Sequence, residues 1–452
     1  MAQSAALPRA SLLALALTLL ATLVIVARPV TASGPPEPVR FATFNASLNR
    51  NAAGQALSDL SAPGNAQAAA VAEIIQRTRP EVLLVNEFDY VDGPVDGNAM
   101  TDAFQANYLG VGQNGAAPII YPYVYVAPSN TGVPSGFDLN NNGAVGGADD
   151  AYGFGFFPGQ FGMAVFSQHP IDYDAVRTFQ LFRWADMPGA LLPDDAATPE
   201  PADWYSQEEL EVFRLSSKSH WDVPISIGGS TVHFLVSHPT PPVFDTAEDR
   251  NGRRNHDEIR LWADYVTPGR AGYLYDDKGR RGGLDPRASF VIVGDQNSDP
   301  LDGDSIPGAT QQLLDNPRVN ARFTPSSPGG PEQARLQGGA NLTQRGDPAF
   351  DTADFADTSP GNLRSDYVLP RGDLPVSDGA VFWPRSDDPL FRLVGTFPFP
   401  SSDHRLVWVQ TRVRAPRRAP ADREGTPAVL AWVHLTFLMR TVFIMLIILD
   451  AV

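Results

Sequence analysis

The sequence predicts an α+β fold in which one sheet packs on another and helices lie outside the pair. Short apolar runs of strand length recur along the chain, whereas only two stretches read clearly as helices. The Pro- and Gly-rich stretches at 93–97, 188–201 and 326–339 are short and mark no change of composition. Many strands with few helices have to bury their apolar faces mainly against each other.

In chain order, residues 39–44 (VRFATF) are rich in aromatic and β-branched side chains and read as a strand. The Ala-rich run 66–78 reads as a helix, followed by a strand at 82–85 (VLLV). Strands are expected near Val124, at 163–166 (MAVF) and at 232–236 (VHFLV). A second helix is expected at 255–265, then strands at 290–293 (FVIV), 366–369 (DYVL) and 406–409 (LVWV). No internal repeat is evident, so residues 33–410 are read as one domain.

Composition narrows the function. The chain has 452 residues, no cysteine and a formal charge of −17, with 43% hydrophobic and 19% charged residues. That content supports a real core and excludes disorder over most of the length. The absence of cysteine excludes disulfide scaffolds, cysteine-ligated metals and thiol catalysis. An acidic balance argues against a broad basic nucleic-acid surface, while small charged substrates and metal cations stay open. Only Lys218 and Lys278 are lysines, a skew that by itself carries no functional weight.

The ends differ from the middle. Residues 1–32 combine Arg9, an apolar run and small residues before Ser33, the anatomy of a secretory signal peptide. Residues 411–427 read as an Arg- and Pro-rich linker to an apolar tail, 428–452. The tail is long enough for a membrane segment, but Arg440 inside it and the Arg-rich flank oppose one, so both readings stand.

Polar residues recur just past the C-terminal ends of apolar strands: Asn45 after VRFATF, Glu87 after VLLVN, His238 after VHFLVS, and Asp295 and Asn297 after FVIVG. Asp366, Asp403 and His404 flank the last strands. Singly, each has an ordinary structural use; Asp295 and Asn297, for instance, could form an Asx turn. Together they describe one rim carrying carboxylates, amides and histidines, the chemistry of a hard-cation site with acid/base partners.

In this order the pieces FATFNAS, PEVLLVNEFD, FGMAVFSQHPI, FLVSHPTPP, VIVGDQNSDP, NLRSDYVLP and SSDHRLVWV resemble the endonuclease/exonuclease/phosphatase superfamily, which includes DNase I, abasic-site endonucleases, sphingomyelinases and inositol-polyphosphate phosphatases. The resemblance spans residues 41–409 and departs from the family at Asn86, where a Gln is usual. It implies a four-layer, DNase I-like α/β sandwich with two mostly antiparallel sheets flanked by helices. It also implies Mg2+ or Mn2+ as cofactor, with Glu87 as main ligand helped by Asn45 and Asp403. His404, held in one tautomer by Asp366, would be the base or a phosphate contact. Asp295 would position or deprotonate the attacking water, leaving two candidates for the base. Asn297 would donate to a phosphate oxygen, and His238 would contact phosphate or protonate the leaving group.

Two further features stand apart. Asp138, Asn140, Asn142 and Asp149 occupy positions 1, 3, 5 and 12 of DLNNNGAVGGAD, the oxygen-ligand spacing of a Ca2+ loop, although an Asn-Gly surface loop has the same composition. Arg250, Arg253, Arg254 and His256 in DRNGRRNHDEIR could bind phosphate or could be a solvated helix start. The expected protein is an exported, metal-dependent phosphoester hydrolase acting on nucleic acid or a small or lipid phosphoester, with membrane contact through the tail open. The competing reading is a catalytically silent, calcium-stabilised surface or adhesion module on the same fold.

Overall fold

A computed structural model describes residues 38–91 and 97–413 of the chain. The expected signal peptide, the tail and the linker beyond residue 413 lie outside the described residues. Eleven strands are present: β1 (Pro38–Asn45), β2 (Val82–Asn86), β3 (Tyr123–Tyr125), β4 (Met163–Ser167), β5 (Arg177–Thr178), β6 (His220–Ile227), β7 (Ser230–Ser237), β8 (Ser289–Asp295), β9 (Asp366–Pro370), β10 (Val376–Val381) and β11 (Val407–Arg412). They form a six-stranded sheet, β10-β11-β1-β2-β4-β3, and a five-stranded sheet, β5-β6-β7-β8-β9. β1 pairs parallel to β2 and β7 parallel to β8; the other pairs among the described residues are antiparallel.

The central strands read as unbroken apolar runs because both of their faces are covered. In β7, Phe234 and Val236 point into the core shared by the sheets, whereas Leu235 points outward. β8 alternates the same way, Val291 and Val293 inward, Phe290 and Ile292 outward. Phe41 of β1 meets Phe234 of β7 across the sandwich with ring centroids 6.0 Å apart. Burying each such ring contributes about 1.5–3 kcal/mol.

Helices complete the outer layers. α1 (Ala66–Thr78) starts on Asn65, whose side chain accepts the Ala68 N–H, and covers the six-stranded sheet with Val71, Ile74 and Ile75. α2 (Arg250–Val266) covers the other sheet with Ile259, Leu261 and Trp262. The predicted α+β sandwich is therefore present, with its sheets between helices.

Boundaries differ in informative places. α2 begins at Arg250 rather than 255, because its polar first turn is tied down locally: Asn251 N–H donates to Asp245 at 2.7 Å. Gly252 lies close under the Asp249 carboxylate, which a Cβ there would displace. β11 runs on to Arg412, into the segment expected to be linker.

Candidate active site

Strand direction gathers the polar residues. β1, β2, β7 and β8 all end at one rim, and β9 and β11, antiparallel to β8 and β1, start there. Asn45 stands opposite Asn86, and Asp295 opposite Asp366. Gly294 lets β8 end beside β7: its φ is +140°, and a Cβ would sit 1.9 Å from the Ser237 carbonyl oxygen. Ser47, Glu87 and Asn297 hold left-handed φ values of 47°, 55° and 50°, an uncommon backbone state for such residues that clusters at working sites.

Asp295 Oδ2 is the hub. It accepts the Asn45 Nδ2–H at 3.1 Å and lies 3.4 Å from His238 Nε2 and 3.7 Å from His404 Nε2. Asn45 also donates to Glu87 Oε1 at 3.1 Å. His404 Nδ1 is 2.8 Å from Asp366 Oδ2, an oxygen that also accepts the Thr352 hydroxyl at 2.8 Å. Asp403 Oδ1 accepts the Ser47 hydroxyl at 3.2 Å. Asn297 anchors its own turn through its N–H to Asp295 Oδ1 at 2.8 Å and its amide to the Pro239 carbonyl at 3.1 Å. The His238 ring nitrogen Nδ1 is buried without a hydrogen-bond partner.

Glu87, His238, Asp295, Asn297, Asp403 and His404 line one cavity of about 870 Å³, far larger than a phosphate, whose walls include Phe154, Tyr205, Phe213, Pro242, Phe244 and Leu363. Burial opposes charge on His404, but Asp366, Asp295 and Asp403 outweigh it and hold the imidazole well above its ordinary pKa. His238 is driven the other way, well below its ordinary value, by burial first and then by the charges of Lys218 and His404. The Asp295 carboxyl is pushed up to about 7 by burial, with His404 opposing and Asp366 adding to the rise. Glu87 is raised by its enclosure and then by Asp403.

Asn45, Glu87, His238, Asp295, Asn297, Asp366, Asp403 and His404 are thus brought together. Asn86, the departure from the family pattern, accepts the Thr43 hydroxyl within the sheet at 3.2 Å. Of the four basic residues at the start of α2, only Arg250 and Arg254 line the cavity. Arg254 spends its guanidinium on the Leu215, Tyr152 and Arg214 carbonyls, and Arg250 pairs with Glu248. Arg253 reaches the Leu192 carbonyl, and His256 Nδ1 lies 3.0 Å from Asp257.

The Asn-Gly loop turns on its own amides. Asp138 accepts the Asn142 and Gly143 N–H groups, Asn140 accepts Asn142 N–H, and Asn142 accepts Ala144 N–H. The carboxylate that ties the loop down is Asp150, through Leu139 and Gly146 N–H, while Asp149 is exposed and lines the cavity. Among the described residues, Asp295, Asp366 and His404 form the one group of three or more acidic or histidine ligand atoms within 4.8 Å of one another.

Two cavity residues went unread in the sequence. Phe355 sets its ring edge-on to His404 with centroids 5.3 Å apart. Lys218, buried just before β6, lines the same cavity; its rarity in an Arg-rich chain was the only sequence signal for it.

A model of the Endonuclease/Exonuclease/phosphatase family matches residues 42–404. Similar solved structures include an endonuclease/exonuclease/phosphatase from Beutenbergia cavernae, 18% identical, covering 83% of this chain and 72% of that one at a TM-score of 0.45. Sphingomyelinase C from Streptomyces griseocarneus is 15% identical over 83% of this chain and 99% of its own, with a TM-score of 0.40. An AP endonuclease from Archaeoglobus fulgidus is 12% identical over 83% of this chain and 100% of its own, also at 0.40. A comparison with curated proteins finds no match. Because the family model spans the chain from the first core strand to His404, this protein belongs to the endonuclease/exonuclease/phosphatase family.

Proposed function

We propose that the chain is an exported hydrolase of phosphoesters, dependent on Mg2+ or Mn2+. The observation that carries this reading is the convergence of Asn45, His238 and His404 on Asp295 Oδ2, with Glu87 and Asp403 in the same cavity. Export rests on the N-terminal sequence alone.

Asn45 turns its amide nitrogen toward Glu87 and Asp295 and its oxygen toward the Ser47 N–H, which leaves Glu87 and Asp403 to fit a hard divalent cation. They are oxygen donors, and the rise of Glu87 through enclosure and the Asp403 charge is a repulsion that a cation relieves. When bound, such an ion supplies charge cancellation on the phosphate oxygens. The protein groups divide the remaining work. Asp295, with a carboxyl near neutrality, holds and deprotonates the water. His404, kept cationic by its three acids, contacts a phosphate oxygen, which makes Asp295 the better base of the two. His238 stays neutral and offers an imidazole N–H to the leaving oxygen, while Asn297, anchored on Pro239, offers its second amide N–H to phosphate.

The cavity mouth favours a substrate with an apolar group beside its phosphate over a long polynucleotide. Phe154 and Phe244 in its wall are 49% and 82% exposed, and Phe244 is held at a φ of 66°, costly for a bulky side chain. The decisive experiment is turnover of a chromogenic phosphodiester and monoester by the full chain with Mg2+ and then EDTA. A panel of DNA, RNA, sphingomyelin and inositol phosphates then ranks substrates. Turnover that needs the metal and is lost in Glu87→Ala and His404→Ala supports the reading; full rates in those variants, or no turnover with any divalent metal, refute it and leave the silent-module alternative.

A further inference from the structure

The buried cations of this protein are of two kinds. Arg177 binds Asp276 at 2.7 Å, Arg254 binds backbone carbonyls, and Arg405 binds Asp354 at 3.0 Å and the Ser402 carbonyl at 2.7 Å. Lys218 is as buried as these, 6% exposed, yet among the described residues its ammonium makes no hydrogen bond and no ion pair. Its main chain is pinned instead, its carbonyl accepting the Asn130 N–H at 2.9 Å. The acid with the strongest pull on it, Glu258, spends its oxygens on the Ser217 N–H and hydroxyl and the Thr240 N–H. A buried ammonium without a partner is costly unless an anion completes it. Lys218 opens on the cavity that holds Glu87, His238, Asp295 and His404, and its charge is felt by His238, Glu87 and Asp295.

We infer that Lys218 is a further substrate-binding residue, whose ammonium donates to a non-bridging oxygen of the substrate phosphate. The inference rests on the phosphoesterase reading above. A lysine suits the task, because a compact charge with three donors takes a single oxygen from any direction, where an arginine fork demands two. Four acids, Glu87, Asp295 and Asp403 in the cavity and Asp366 behind His404, make the site acidic, so a fixed cation is what draws an anionic ester there.

The scarcity of lysine makes the test clean. In the full chain labelled with ¹³C at lysine Cε, Lys218 and exposed Lys278 give two side-chain signals, assigned with Lys278→Arg. Inorganic phosphate should move the Lys218 signal saturably and leave Lys278 in place. Lys218→Met should lower phosphodiester turnover on the order of 10²–10³-fold, as loss of one transition-state donor does, without lowering the melting midpoint. A Lys218 signal that stays still or moves only in parallel with Lys278 overturns the inference. So does Lys218→Met with full turnover, or with a lower midpoint and unchanged rate per folded molecule. If that variant does not fold, the wild-type titration decides alone. A shifted Lys218 signal in a protein that hydrolyses no phosphoester refutes the phosphoesterase reading and leaves only an anion site.

Discussion

His404 Nδ1 lies 2.8 Å from Asp366 Oδ2, which turns the other ring nitrogen toward Asp295 at 3.7 Å. The pair is enclosed, and Asp366 is the largest influence raising the imidazole against the cost of its burial. The orientation of one catalytic candidate, and the largest share of what keeps it charged, therefore come from a carboxylate that does not itself line the cavity.

Asp366→Asn should separate those two effects. The amide keeps the shape but loses the charge, so the His404 pKa falls and its cationic form disappears at lower pH. The alkaline limb of the pH–rate profile should move to lower pH, and the rate at the optimum should drop about 10²-fold or more. Turnover measured across pH checks this; an unmoved alkaline limb would show that the charge of His404 is not used.

Gly294→Ala tests how the rim is assembled. The added methyl would meet the Ser237 carbonyl at 1.9 Å, on a backbone with φ of +140°. β8 must then withdraw from β7 just where it delivers Asp295. Denaturant unfolding should show a loss on the order of 2–4 kcal/mol, with turnover falling further than the folded fraction. A stability equal to wild type would mean that the two strand ends part without cost.

Metal titration distinguishes two ways of seating a cation. The tightest cluster of ligand atoms is Asp295, Asp366 and His404, but Asp366 is committed to His404, whereas Glu87 and Asp403 carry the repulsion that a cation relieves. Mg2+ should raise the melting midpoint of the full chain, the stabilisation reaching about 2.7 kcal/mol at a hundredfold excess over its dissociation constant. Glu87→Gln should abolish the shift, Asp403→Asn should weaken it, and Asp366→Asn should keep it. A shift lost in Asp366→Asn and kept in Glu87→Gln would move the ion to the histidine cluster.

The sandwich and most of its rim were legible because parallel, doubly covered strands read as apolar runs, and each ends in a polar residue that has no packing reason to be there. β6 was not, since HWDVPISI carries Pro224 inside and buried His220 and Asp222 where apolar residues are expected. With β6 unread, Lys218 had no strand to place it beside the rim. β10, an edge strand of sequence VSDGAV, is half polar for the opposite reason, having one side without a partner strand. The charges of 250–256 misled in part, because Arg254 faces carbonyls inside the protein, a destination that spacing on a helix does not reveal. The 138–149 spacing was likewise ambiguous, since Asx turns and cation loops place the same side chains at the same intervals.

Asp351 gives the fold a pH dependence separate from catalysis. It is 5% exposed, its Oδ2 has no hydrogen-bond partner, and burial followed by the charges of Asp299, Asp302 and Asp347 pushes its carboxyl up to about 8. A folded-state pKa above the unfolded one near 4 means that the folded protein binds the extra proton. Its contribution is intact below about pH 4 and is lost progressively as pH rises toward 8. A fully shifted group loses about 1.4 kcal/mol per pH unit in that window, so even half that response amounts to on the order of 2 kcal/mol between pH 5 and 8. Asp351→Asn removes the titration while keeping the shape. In EDTA, its unfolding free energy relative to wild type should rise steadily from pH 5 to pH 8, and parallel curves for the two proteins would show that Asp351 is paired or hydrated in solution.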